Sequence, residues 1–142
     1  MEVKMNRLGK IILFLMVVIT GLGLTGCKME DTDVKKLNDL EFTVVEDADV
    51  PEELMEIIND KKVNPFKLSY SNTEYLYIVV GYGKQNSGGY SIAVEDLYLT
   101  SNAIYIDTNL IGPSQQDLVT QGTTYPYIVV KLEFLDKSVV FN

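Results

Sequence analysis

The chain has 142 residues, 12 of them basic and 20 acidic, giving a formal net charge of −8 with no histidine and no tryptophan. Such an acidic balance lacks the basic footprint that displaces counterions from phosphates, which argues against nucleic-acid binding. Without His, with one Cys and with a single Arg at position 7, the chain has no residues for Ser–His–Asp or Cys–His catalysis or for a His/Cys zinc site. The expectation is a protein that is not an enzyme and uses no metal or cofactor.

The N-terminus carries Lys4, Arg7 and Lys10 and then an apolar run, IILFLMVVI, from Ile11 to Ile19. Small residues follow in TGLGLTGC, ending at Cys27, so the layout is that of a signal peptide over 1–26. The apolar run is too short and too glycine-rich at its end for a membrane-spanning helix, which needs about 20 apolar residues. Leu24-Thr25-Gly26-Cys27 resembles a bacterial lipobox, in which the cysteine sulfur is joined to diacylglycerol and cleavage occurs just before it. That implies a lipoprotein anchored through Cys27 by palmitate-type acyl chains on the extracytoplasmic face of a bacterial cell membrane. Each buried methylene would contribute about 0.8 kcal/mol to the anchor. As the sole cysteine, Cys27 is also free of any internal disulfide. The leader takes three basic residues and one acidic one with it, leaving 9 against 19. A surface that acidic is repelled by anionic headgroups, so the lipid and not a basic face makes the membrane link.

Residues 27–40 are polar without a sustained period and read as a flexible tether; residues 41–142 are long enough for one domain. EFTVV, 41–45, is a short β-branched strand candidate. In DADVPEELMEIINDKK, Asp49 suits a cap, Pro51 a first turn and Glu52 and Glu53 the positive end of a helix. Leu54, Ile57 and Ile58 fall at i, i+3 and i+4 and predict one apolar face. Strands are predicted near 67–71, 74–82, 90–100, 103–107, 125–135 and 138–141, with turns at Ser71-Asn72-Thr73, Ser101-Asn102 and Asp136-Lys137. Short connections favour antiparallel neighbours. Leu110 to Thr124 reads as a long loop.

Alternation in the last long strand puts Ile128, Val130, Leu132 and Phe134 on one face and Lys131 and Glu133 on a wet one. Between 90 and 100 the period slips at Glu95-Asp96, where Tyr90, Ile92 and Val94 hand over to Leu97 and Leu99; a β-bulge reconciles the halves. The fold class is therefore mainly β (α+β), with antiparallel sheets forming a small sandwich or barrel-like domain and one amphipathic helix.

Glu95-Asp96 or Asp47 with Asp49 could in arithmetic supply a carboxylate pair, but neighbouring acids in a strand point to opposite faces. No DxDxDG calcium loop is present. Two loops rich in glycine and aromatics remain, GYGKQNSGGY at 81–90 and QGTTYPY at 121–127. Gly83, Gly88 and Gly89 permit positive φ or close approach, and Tyr82, Tyr90, Tyr125 and Tyr127 offer rings suited to contact surfaces. The same residues also suit a wide hairpin whose tyrosines pack around Pro126. Both readings stand on the residues alone.

The order YLYIVVGYG, GGYSI, a gap and TTYPYIVVKL resembles the C-terminal domain of the PrcB family of protease complex subunits, over roughly 75–135. The family loop often reads Pro-Thr-Gly-Gly-Tyr, where this chain has Asn86-Ser87-Gly88-Gly89-Tyr90 without the proline. Family members are typically envelope proteins, often lipoproteins, and the founding member accompanies a secreted serine protease. The resemblance implies an accessory or binding subunit whose partner is another envelope protein, a secreted protease being the class implied. Gly88, Gly89, Tyr90, Tyr125, Pro126 and Tyr127 are the partner-binding candidates. QNSGGY also loosely resembles the Asn-Pro-Thr-Thr-Gly-Tyr loop of chagasin-like inhibitors of cysteine proteases, although their Arg-Pro-Trp motif has no counterpart and YPY would stand in its place. A protease inhibitor domain is the alternative.

Overall fold

The computed structural model describes residues 35–142; the expected signal peptide, Cys27 and most of the expected tether lie outside the described residues. In chain order the strands are β1 (Asn38–Asp39), β2 (Thr43–Val44), β3 (Pro65–Ser71), β4 (Tyr75–Tyr82), β5 (Gln85–Ser87), β6 (Ser91–Leu99), β7 (Ala103–Ile111), β8 (Gln121–Thr124), β9 (Tyr127–Glu133) and β10 (Ser138–Phe141). Helix α1 (Glu52–Lys61) precedes β3, with a 3-10 turn at Asp47–Asp49 before it. One sheet has the order β1-β6-β7-β10 and the other β2-β9-β4-β3, while β5 and β8 form a separate two-stranded ribbon.

β4 organises this arrangement because its sequence, YLYIVVGY, is apolar on both faces. Leu76, Ile78 and Val80 point into the space between the two sheets, where they meet Ile128, Val130 and Leu132 of β9 and Leu97, Ile104 and Ile106 from the other sheet. Tyr77 and Val79 point the opposite way, onto Leu54 and Ile58 of α1. The domain is thus an open sandwich with a helix on the outer face of one sheet, a three-layer stack and not a closed barrel. Each fully buried Leu or Ile in such a layer contributes roughly 1.5–3 kcal/mol.

Several sequence expectations hold and several are corrected. Val94 pairs with Thr108 and Asp96 with Asp107, which leaves Glu95 as the extra residue of a bulge at the expected place. The bulge keeps Ile92 and Val94 on the same inner face as Leu97. Leu54 and Ile58 are buried, whereas Ile57 is 37% exposed and does not belong to the packed face. The stripe toward β4 is narrow, because β3 supplies only Phe66, Leu68 and Tyr70 beside it. Asp49 does not cap α1 but lies in the 3-10 turn, and Pro51 takes the N-cap position without a side-chain hydrogen bond. The wet face expected for β9 is wet only at Lys131 and Glu133, since α1 covers Val129.

The strand expected over 41–45 shrinks to two residues at the sheet edge. Ahead of it, Leu37 N–H donates to Leu99 O (2.8 Å), Asn38 and Asp39 pair with β6, and Leu40 N–H donates to Leu97 O (3.0 Å). The chain then changes sheets, so that Thr43 pairs with Lys131 and Val45 N–H reaches Val129 O at 3.0 Å. Ordered structure therefore begins upstream of residue 41, where backbone pairing overrides a polar side-chain pattern. Pairing is antiparallel except between β7 and β10, which run parallel because the chain crosses between sheets after β9.

The free edge at β3 is blunted. Lys67 and Ser69 pair with Val80 and Ile78 and so sit on the inner side of the sheet, yet both are exposed. Lys67 Nζ lies 5.7 Å from the Phe141 ring centre, bridging the two sheet edges. An inward-pointing lysine at an edge disfavours strand addition.

Candidate functional site

Both Gly/Tyr loops come from one end of the sandwich. β4 ends and β6 begins there, and so do the end of β7 and the start of β9. Gln85 pairs with Thr124 and Ser87 with Gln121, so the two loops meet as the β5–β8 ribbon. Thr124 Oγ1 donates to Ser87 O at 2.7 Å, and Gly88 N–H donates to Thr120 O at 2.8 Å. The stretch expected to be a long loop is therefore partly strand, and only Gly112–Thr120 remains irregular.

Gly89 is where the local backbone requires glycine. Its φ is +84°, and a Cβ there would stand 2.5 Å from Val119 Cγ1 and 3.0 Å from Pro113 Cβ. The loop packs directly on it. Tyr90 lies with its ring against Gly112, so the loop is held at both of its ends by residues of the GGY segment. Within the loop, Ser114 N–H donates to Asp117 Oδ2 (2.7 Å) and Asp117 N–H donates to Ser114 O (3.1 Å), a small closed turn. That turn leads straight into Leu118.

The site candidates divide between two places. Gly88, Gly89 and Tyr90 lie at the ribbon and its docked loop. Tyr125 and Pro126 lie at the ribbon base, both half-buried, and Pro126 O accepts a hydrogen bond from Tyr82 N–H at 3.0 Å. Tyr127 is directed elsewhere. Its ring joins the layer beneath α1, and its hydroxyl donates to Asp47 Oδ1 at 2.6 Å. Burial, and then that hydrogen bond, push the Tyr127 phenol well above the ordinary tyrosine range, because both oppose forming a second negative charge beside Asp47. Tyr82 is likewise engaged, its hydroxyl 2.7 Å from Thr108 Oγ1 between the sheets.

Two clefts lie away from the ribbon tip. One of about 710 Å³ borders β2 and is lined by Phe42, Thr43, Tyr75 and Lys131, with Lys131 Nζ standing 3.9 Å over the Tyr75 ring. The other, of about 540 Å³, opens between β3 and the chain end and is lined by Phe66, Gly81, Tyr82 and Thr108. Among the described residues no group of three or more His, Cys, Asp or Glu side chains is arranged to hold a metal ion. Likewise, no described helix is long and apolar enough to cross a membrane. Asp96 and Asp107 face each other across β6 and β7 on the outer face, with Lys36 Nζ 3.3 Å from Asp96. This surface arrangement neutralises part of a like-charge pair.

Leu118, and the loop residues Pro113 and Val119 beside it, are not among the residues that the glycine and tyrosine pattern singles out. A signal was present, since Leu118-Val119 is an isolated apolar pair in the polar run SQQDLVTQG. Residues 76–133 match the model of a family described as PrcB C-terminal. The matched segment spans the two central strands of one sheet, β6 and β7 of the other, and the whole ribbon with its docked loop. No curated protein and no solved structure gives a match.

Proposed function

From the match of residues 76–133 to the family described as PrcB C-terminal, and the resemblance to protease complex subunits that it supports, we propose that this domain is a non-catalytic accessory subunit. It is held at the extracytoplasmic face of a bacterial membrane by a lipid on Cys27 and binds another envelope protein, a secreted protease being the favoured class. The carrying observation is the convergence of GGY and QGTTYPY on one ribbon inside the family-matched segment. Tyr90 and Tyr125 are the contact residues, with Gly88 and Gly89 shaping the approach; Pro126 fixes the ribbon base and Tyr127 supports it from the helix layer. The lack of His, and of any Arg or Cys past Cys27, supports the non-catalytic reading.

Two experiments test this. Cys27→Ser is expected to release the protein from membranes and abolish acyl labelling, and unchanged labelling would remove the anchor. Crosslinking pull-down of the intact lipoprotein from native membranes is expected to lose its partner with Tyr90→Ala and Tyr125→Ala. Equal recovery from both variants, folded normally, would contradict the site. A chagasin-like inhibitor would use the same converged loops; it lowers the activity of a purified protease partner, whereas an accessory subunit raises its yield.

A further inference from the structure

Resting on that reading, a second surface of the domain specifies the chemistry of the partner. The outer face of the β2-β9-β4-β3 sheet lies under α1, whereas no described helix covers the outer face of the β1-β6-β7-β10 sheet. On that open face two short units stand in register, Asp96-Leu97-Tyr98 on β6 and Tyr105-Ile106-Asp107 on β7. Leu97 and Ile106 enter the core, so both aspartates and both tyrosines point outward. The tyrosine rings stack on each other, 5.3 Å between centres and 5° from parallel. Each ring therefore keeps one face for the strand on its far side, β1 for Tyr98 and β10 for Tyr105.

The β6 unit holds a cation. Lys36 Nζ stands 5.1 Å from the Tyr98 ring centre and 3.3 Å from Asp96 Oδ1, and it also pairs with Asp39, which lies opposite Tyr98 on β1. The β7 unit offers the same ring and carboxylate, yet among the described residues no cation pairs with Asp107. Lys137 donates to Ser101 O (2.8 Å) and Lys67 to Asn142 O (3.5 Å), so the lysines flanking this region are engaged elsewhere. Glu95, the exposed extra residue of the bulge, adds to the negative charge beside Asp96.

The two units differ in one neighbour. Where Asp39 stands opposite Tyr98, Val140 stands opposite Tyr105, and it points outward because Phe141 packs on the core. That exchange removes one carboxylate and supplies an apolar floor, which suits a cation on a long hydrocarbon stem. A planar guanidinium can lie on a tyrosine face while its edge pairs with a carboxylate, a fit that a compact ammonium lacks. A second copy of this chain in symmetric contact would bring carboxylates against carboxylates. From Asp107 to Ile111, where β7 reaches the ribbon end, the strand runs only about 13 Å, so one partner can span both surfaces. We propose that Tyr105, Asp107 and Val140 seat an arginine side chain from a basic segment of the partner polypeptide, a second contact beside the ribbon.

The test places a photoreactive phenylalanine at Asn109, exposed on the same face two residues from Asp107, and in a parallel strain at Gln121 on the ribbon, each in the full-length lipoprotein in its native membrane. Both positions are expected to capture the same protein, and the fragment joined at position 109 to contain an arginine. Asp107→Asn is expected to lower the 109 adduct about three- to tenfold, the scale of one exposed charge pair with a stacked cation, and Asp107→Glu to retain it. Raised salt is expected to weaken the 109 adduct more than the 121 adduct. Because Asp107 faces Asp96, Asp107→Asn is expected not to lower the melting temperature, which separates a lost contact from a lost fold. A 109 adduct unchanged by Asp107→Asn, or a joined fragment without arginine, overturns the seat. An adduct from position 121 with none from 109 also overturns it and leaves the ribbon standing, whereas one from 109 alone overturns the ribbon and leaves the seat. No adduct from either position overturns both, and an adduct with the mass of two copies of this chain overturns the different polypeptide.

Discussion

Beneath α1, Tyr70 and Tyr127 give their hydroxyls to Glu53 (2.9 Å) and Asp47 (2.6 Å), tying the helix and its preceding turn to the sheet. At the ribbon end, Tyr90 lies on a glycine, Tyr125 is half-buried, and the neighbouring Leu118 is wholly exposed. Tyrosine occurs at both places, but in the first its polar tip is consumed by the fold, and in the second apolar surface is left for something else. Residue type alone does not separate a structural tyrosine from a contact tyrosine; the direction of its strand position does. Tyr127 and Ile128 are neighbours in β9, yet one faces the helix and the other the core between the sheets.

The contrast is broken most severely from the helix side. Ile58→Asp, at a fully buried position, would place an unpartnered carboxylate between α1 and β4, and a loss of about 4 kcal/mol or more is expected by urea unfolding. Gly89→Ala is expected to cost about 1–3 kcal/mol, because alanine must adopt a positive φ and its Cβ meets Val119. Its sharper consequence is local: exchange of the Gly112–Thr120 amides with solvent is expected to speed up while the helix amides stay unchanged.

Tyr127→Phe removes a partly exposed hydrogen bond and is expected to cost about 1 kcal/mol. The raised folded-state value of this phenol sets the sign of its pH dependence. Below the unfolded value of about 10 its contribution is fully present. As pH rises beyond that, the unfolded chain loses the proton that the folded chain keeps, so stability falls. Denaturant titrations between pH 8 and 11 are expected to show a shallower alkaline decline in Tyr127→Phe than in the parent. Smallest of all, Ile57→Asp is expected to change stability by no more than about 0.5 kcal/mol, because that side chain already meets water.

The fold was legible wherever side-chain period and burial coincide. β4 reads as a strand, the slip at Glu95-Asp96 reads as a bulge, and of the helix face expected at Leu54, Ile57 and Ile58 the first and last are the packed residues. Legibility ended where backbone hydrogen bonds act without an apolar pattern. Leu37–Leu40 joins β6 through main-chain groups although its composition is that of a tether, and QNS pairs with QGTT with no hydrophobic alternation to announce it. For the candidate site, the glycines and Tyr90 could be picked out, because loops with such residues are few in this chain. The engagement of Tyr127 by Asp47 could not, since the two are 80 positions apart. The role of Val119 as the side chain filling the space above Gly89 was equally hidden.

Hydrogen exchange reads directly which surface receives the partner. The full-length lipoprotein would be compared free and in the crosslink-validated complex solubilised from native membranes. Protection gained over Gln85–Tyr90 and Gly112–Thr124, with Glu52–Lys61 unchanged, is the result expected. Protection gained over the helix or the outer face of β6 and β7, with the ribbon segments unchanged, would contradict it.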